Sequence, residues 1–382
     1  MALLPMKRMM LLGLNKDREA ILESLQHLSS VEIIEDKMDC SDDPIFSHAK
    51  AEAEIAEYDS NAALALDSLK ILDKYSQKKY AFGQIKGKHE TAINKEKYAE
   101  LLKKYDSTFD AVQKIIALES ELEEIRSELP RAEASAEEIR PWASLDIPMD
   151  YKGSTHTAFF VGVVYIKPEE KFSADAFADA VEAKENGMIS VEIITLSVVA
   201  NKAYIAAICH KSEESAVVKA LGEMGFRQAE RSDMIPSEEF KKRDDHIKEL
   251  KGRMAEITAQ LESLGVEREA IKFYIDYSHI LRERQMAAAK LTVSEHTFIL
   301  NGWIAEKDID SLNESLSGFA ELEIEYFEHE ADEKPPIRLQ IKGLSVPVGG
   351  VIELSEKIHS GGRHEFTPFG VHTKYFTFEG AF

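Results

Sequence analysis

From Ile247 the apolar residues Leu250, Met254, Ile257, Leu261 and Leu264 follow at alternating steps of three and four, and Ile271 and Ile275 resume the series beyond Gly265. That spacing lays a narrow apolar stripe along one side of a helix, and such a stripe is stable in water only when a second helix covers it. The chain supplies its own partners. Ile55, Tyr58, Ala62, Ala65, Leu69 and Leu72 repeat the spacing. Tyr98, Leu101, Tyr105, Thr108, Val112 and Ile115 repeat it again, then shift phase by one residue to Leu118, Leu122, Ile125 and Leu129, which overwinds a helix pair locally. Pro130 and Pro141 are expected to close this outgoing arm. Its helices hold more residues than the return arm, so it is expected to double back near Gly83 and Gly87, giving part of the rod three helices.

The rest of the chain reads as α/β. Pro5 to Gly13, Asp17 to Ser29 and Val31 to Ile34 give strand, helix, strand; His296 to Ile304, Asp308 to Leu316 and Leu322 to Tyr326 give the same order again. The two halves can combine into one ferredoxin-like sheet with everything between them inserted. A second, contiguous βαββαβ pattern runs through Thr157 to Ile166, Ser173 to Lys184, Val191 to Val199, Ala203 to His210, Glu213 to Met224 and a short strand from Phe226. Asn201-Lys202 is the expected turn between its middle strands.

Composition narrows the partners. With 47 Lys and Arg against 69 Asp and Glu, the 382-residue chain carries a net charge of −22. That charge repels nucleic acid and anionic lipid. Cys40 and Cys209 form neither a CxxC motif nor a disulfide framework, which fits a reducing compartment. The N-terminal apolar run contains Lys7 and Arg8 and lacks a cleavage site, and nowhere are there about 18 uninterrupted apolar residues, so neither signal peptide nor membrane span is expected.

Motifs for chemistry are weak. GQIKGKH, from Gly83 to His89, is one residue short of a phosphate loop and has no Ser or Thr after Lys88, so it reads as a helix-helix turn. His359, His364 and His372 with Glu365 match no metal-ligand spacing and read as solvated tail residues. Cys209 and His210 are neighbours on a strand and face opposite ways. Acidic runs such as Glu119 to Glu124 read as helix surface flanking a seam. Trp303 reads as packing, with an interface anchor as the alternative. No catalytic, cofactor-binding or metal-binding residue is assigned.

The opening PMKRMMLLGLNKDREAILESLQHLSSVEIIED resembles the start of subunit I, or subunit a, of the V/A-type rotary ATPases, as do TFILNGWIAEKD and EADEKPPIRLQ. Gly302-Trp303 followed by Glu306-Lys307-Asp308 is the most specific part, and the match spans about residues 4 to 340. The resemblance implies the cytosolic half of that subunit, held beside the membrane as a stator. It also implies contacts with E/G-type peripheral-stalk heterodimers and a C/d-type central-stalk subunit, and with the rotor ring through a membrane domain. In the family, that domain carries the proton half-channels and an essential arginine. Residues 341 to 382 depart from the family pattern, so no channel residue is carried over.

The expected fold is α+β: two ferredoxin-like α/β lobes joined by a long antiparallel helical coiled-coil rod, a dumbbell. A proximal lobe (1–44 with 291–341), a rod (45–140 with 236–290), a distal lobe (141–235) and a tail of uncertain structure (342–382) make up the chain. The expected function is a non-catalytic stator arm at the cytoplasmic face of the membrane, supporting proton transport coupled to ATP synthesis or hydrolysis. The alternative is a free-standing cytosolic adaptor or regulatory protein with effector-binding lobes.

Overall fold

The structure, a computed structural model, describes residues 2–35, 45–76, 91–167, 171–230, 233–328, 334–340 and 364–378. In chain order the first elements are β1 (Ala2–Leu3), β2 (Met6–Leu14), α1 (Arg18–Leu28), β3 (Val31–Ile34), β4 (Ser47–His48), α2 (Glu52–Tyr75), β5 (Thr91–Ile93) and α3 (Lys95–Lys103). Next come α4 (Tyr105–Ile139), β6 (Thr157–Tyr165), α5 (Ala174–Lys184), β7 (Val191–Val199), β8 (Lys202–His210), α6 (Glu214–Glu223), β9 (Phe226–Gln228) and α7 (Pro236–Ser263). The last are α8 (Arg268–Ala288), β10 (Thr292–Val293), β11 (Thr297–Ala305), α9 (Ile309–Leu316), β12 (Leu322–Phe327), β13 (Leu339–Gln340) and β14 (Phe376–Phe378). This mixture of helices and largely antiparallel sheets is an α+β fold. The chain divides into two compact units, Met1–Ala117 with Leu261–Phe382, and Leu118–Gln260.

In the first unit β2 and β11 pair antiparallel from Leu14 opposite Thr297 to Met6 opposite Ala305, with β12 on the free side of β2. The other side of β11 is shared: β3 lies along Asn301 to Ile304, and β10 along Phe298 and Ile299. The order β12-β2-β11-β3 is the 4-1-3-2 arrangement of a ferredoxin-like sheet, assembled from two distant βαβ halves. Alternation explains its core, because Met9, Leu11, Phe298, Leu300 and Ile304 all point to the face that α1 and α9 cover with Ile21, Leu22, Leu25, Leu312 and Leu316. Gly302 is required by close approach: a Cβ there would lie 2.8 Å from the Glu32 carbonyl oxygen on β3.

Helices α2 and α8 of this unit run antiparallel. Asp59 meets Arg282 at 2.6 Å near one end, and Asp73 pairs with Arg268 near the other. The seam residues Ala62, Ala65, Leu69 and Leu72 are buried between them. On its other side α8 takes the start of α4. Tyr105 stacks on Tyr274 with ring centroids 4.5 Å apart, and its hydroxyl lies 2.9 Å from that of Ser278. Three helices therefore pack here, as surplus residues in the outgoing arm require; Gly83 and Gly87 lie outside the described residues. The stretch from Tyr98 to Ile115 is not one helix. α3 starts at an Asn94 cap, whose side chain accepts the Lys97 N–H at 2.9 Å, and it stops at Lys103, with Lys104 between it and α4.

In the second unit α4 and α7 run antiparallel. Glu121 binds Arg253 at 2.6 and 3.0 Å, Glu128 lies 3.0 Å from His246, and the Ser135 carbonyl accepts from Arg243 at 2.7 Å, so one helix descends as the other climbs. Leu118, Leu122 and Ile125 are buried, as the phase shift requires, opposite a buried Ile247, Leu250 and Ile257. Pro130 does not close the arm. It sits inside α4, which runs on to Ile139; only the Arg126 carbonyl loses its regular helical donor.

The sheet of this unit has the order β7-β8-β6-β9, again 4-1-3-2 read from β9. α5 and α6 cover one face through Val181, Val217, Ala220 and Leu221. The middle strands are joined by Ala200-Asn201, one residue earlier than expected, with Ala200 in the left-handed region at φ 51°. Gly162 admits β9, since a Cβ would stand 2.4 Å from the Arg227 carbonyl oxygen.

Candidate functional site

Residues 364–378 form no solvated tail. They lie against the first unit, and the chief anchor is Asp276 on α8, a fully buried carboxylate. Its oxygens accept the backbone N–H groups of Lys374 at 2.9 Å, Tyr375 at 2.8 Å and Phe376 at 3.0 Å. Burial pushes the Asp276 carboxyl above the usual carboxylate range, against the downward pull of those three donors. Beyond the anchor, β14 pairs in parallel with β5. A second carboxylate, Glu32 on β3, accepts from the Thr367 N–H at 3.0 Å and lies 2.7 Å from Nε2 of His364. Phe366 is buried over Met6, Trp303 and Ala305. Trp303 thus packs inside the unit, within β11, and is 5% exposed.

A crevice of about 380 Å³ lies beside this segment, lined by Glu32, His279, Glu283, Met286, Lys290 and His372 among others. Three of its polar groups are already engaged: Glu32 holds the segment, Glu283 lies 2.7 Å from Arg282, and Lys290 donates to the Ile33 carbonyl at 3.2 Å. His372 lines the crevice and His364 meets Glu32 at its wall, whereas His359 lies outside the described residues, as does the whole of Gly83 to His89. Among the described residues no group of three His, Cys, Asp or Glu side chains could hold a metal ion. Cys209 and His210 do face opposite ways. Cys209 is buried, with its thiol pushed up chiefly by burial, while His210 Nδ1 accepts the Ser212 N–H at 3.3 Å.

The second unit carries a more open site. On the sheet face away from α5 and α6, Phe159, Val161 and Ala206 are covered by Trp142 and Leu145. Cover ends before the far end of β6, leaving a groove of about 430 Å³ walled by Trp142, Met149, Val163, Tyr204 and Met234. Tyr165 stands at its mouth, 55% exposed. Lys202 from β8 places Nζ 5.5 Å from the ring centroid, and Arg227 from β9 places its guanidinium carbon 5.3 Å from it. Glu138 and Glu230 complete the lining. Sequence reading missed both sites. The available signals were an acid inside the apolar stretch FYIDYSHIL, and Tyr165 and Lys202 ending adjacent strands.

No family model and no curated protein matches the chain. Among solved structures, it is similar to the crystal structure of the cytoplasmic N-terminal domain of subunit I, a homologue of subunit a, of V-ATPase. Identity is 15%, 84% of this chain and 100% of that one are covered, and the TM-score is 0.27. No described helix is long and apolar enough to cross a membrane.

Proposed function

We propose that this chain is the cytoplasmic stator arm of a V/A-type rotary ATPase, a structural subunit without catalysis of its own. One observation carries the reading. Two of the stretches that resemble subunit I, PMKRMMLLGL and TFILNGWIA, lie far apart in sequence yet form β2 and β11, the paired central strands of one sheet. A family resemblance spread over distant segments gains weight when those segments build one element together. Antiparallel helices and a ferredoxin-like sheet in each unit suit bracing: paired helices resist stretching, and sheet faces offer docking surfaces.

In this reading the lobes receive E/G-type peripheral-stalk heterodimers, with the C/d-type central-stalk subunit close by. The fixed membrane sector is thereby tied to the catalytic head while protons move through a separate membrane domain. The seams imply a dumbbell, and a radius of gyration near the roughly 21 Å of a compact chain of this length would overturn that arrangement. Calorimetric titration with the E/G heterodimer of the same ATPase tests the function. Binding without ATP affinity is expected; no binding at high micromolar concentration together with tight binding of a nucleotide or metabolite would favour an effector-binding regulator.

A further inference from the structure

The groove at the end of β6 carries two cations that have no carboxylate partner among the described residues. Elsewhere in the second unit several cations find acids, though not all do: Arg253 binds Glu121, Lys251 lies 2.7 Å from Glu133, and Arg243 lies 3.0 Å from Glu239. In a chain with 69 acidic residues, such partners are cheap. Yet among the described residues neither Lys202 nor Arg227 makes an ion pair, and both are held against the ring of Tyr165. The ring attracts each cation, but it does not cancel the charge of either. Two like charges on one exposed ring favour the arrival of an anion. Beside them lies an apolar recess with Trp142, Met149, Val163, Tyr204 and Met234 as its walls.

We propose that this groove is the docking site for an acidic amphipathic helix of a partner protein. One aliphatic or aromatic side chain of the helix enters the recess against the edge-to-face pair of Trp142 and Tyr204, while a carboxylate on the adjoining turn meets Lys202 and Arg227. A side chain and a carboxylate three or four positions apart share one helix face, as an apolar recess with a charged mouth requires. Glu138 and Glu230 set the specificity: a helix acidic along its whole length meets repulsion there, so the carboxylates must cluster on the Tyr165 side.

The probes are two synthetic 16-residue helical peptides sharing one Leu/Phe face, one flanked by Glu and the other by Lys. Binding is read by fluorescence of Trp142 in a Trp303→Phe background, which leaves a single tryptophan. The Glu peptide should bind at least tenfold more tightly than the Lys peptide, with an advantage that shrinks as salt rises. Lys202→Glu with Arg227→Glu should reverse the preference, and Lys202→Gln with Arg227→Gln should abolish it. Circular dichroism checks that each variant is folded. Equal binding of the two peptides, a preference untouched by the charge reversal, or binding of neither at millimolar concentration would overturn the proposal. So would variants that lose stability without any change in binding, since the cations would then serve only to join β6, β8 and β9.

Discussion

Asp276 is held in the first unit by three backbone donors, and removing it strands all three. A buried donor left without an acceptor costs about 1–3 kcal/mol. Asp276→Ala is therefore expected to lower stability by on the order of 3 kcal/mol and to strip hydrogen-exchange protection from the amides of Lys374, Tyr375 and Phe376. Unchanged protection there would remove Asp276 from its anchoring role. Asp276→Asn keeps one acceptor oxygen and sheds the charge that burial penalises, so its loss should be smaller. His27 on α1 gives a pH prediction. Burial chiefly, with Arg284 beside it, holds its imidazole below the usual value of 6.5, against a smaller opposite pull from Glu23. As pH falls through 6.5 the unfolded chain takes the proton first, so stability falls with pH in the window just below that value. His27→Gln should flatten the difference in urea midpoint between pH 7.5 and pH 5.5; an unchanged difference would assign the acid sensitivity elsewhere.

Among the helices, the seam of α7 separates core from surface. Ile257 is fully buried, and Ile257→Asp puts an unpaired charge between α4 and α7 at a cost of about 3–5 kcal/mol. Glu123 pairs with Arg126 at 2.7 Å on the exposed side of α4, and Glu123→Ala should change stability by less than about 0.5 kcal/mol. Thermal melts followed by circular dichroism compare the two, and equal losses would mean that α4 and α7 do not pair along this seam. These helices were legible because Leu, Ile and Val recur at steps of three and four. β3 and β7 were legible to the residue because β-branched side chains crowd both. Lys104 was not, since Tyr98 and Tyr105 keep the helical step across it while both pack on α8. Pro130 misled in the other direction: one lost hydrogen bond does not end a helix buried on its neighbour. The Asp276 anchor stayed hidden because the aromatics from Phe366 to Phe378 follow no sustained helical or strand period, and the groove because its cations lie far apart in sequence.

For the whole molecule the two sheets differ in how their strands are gathered. β6 to β9 follow one another between Thr157 and Gln228, whereas Leu14 at the end of β2 finds its neighbour only at Thr297. Ribosomes deliver about 5–20 residues per second, so β2 waits between about 15 and 60 s for β11, with MKRMMLLGL lacking its central partner throughout. The sheet containing β6 is thus free to form while the strands of the other are still incomplete. Chains stalled with residue 260 just outside the exit tunnel should resist protease over 157–228 and remain cleavable over 6–34; equal protection of both would contradict this order. The apolar β2 then falls to the cell's chaperones to shield during synthesis, and starving a cell of them should deplete this protein sooner than a β-protein of equal size whose strands pair with their sequence neighbours.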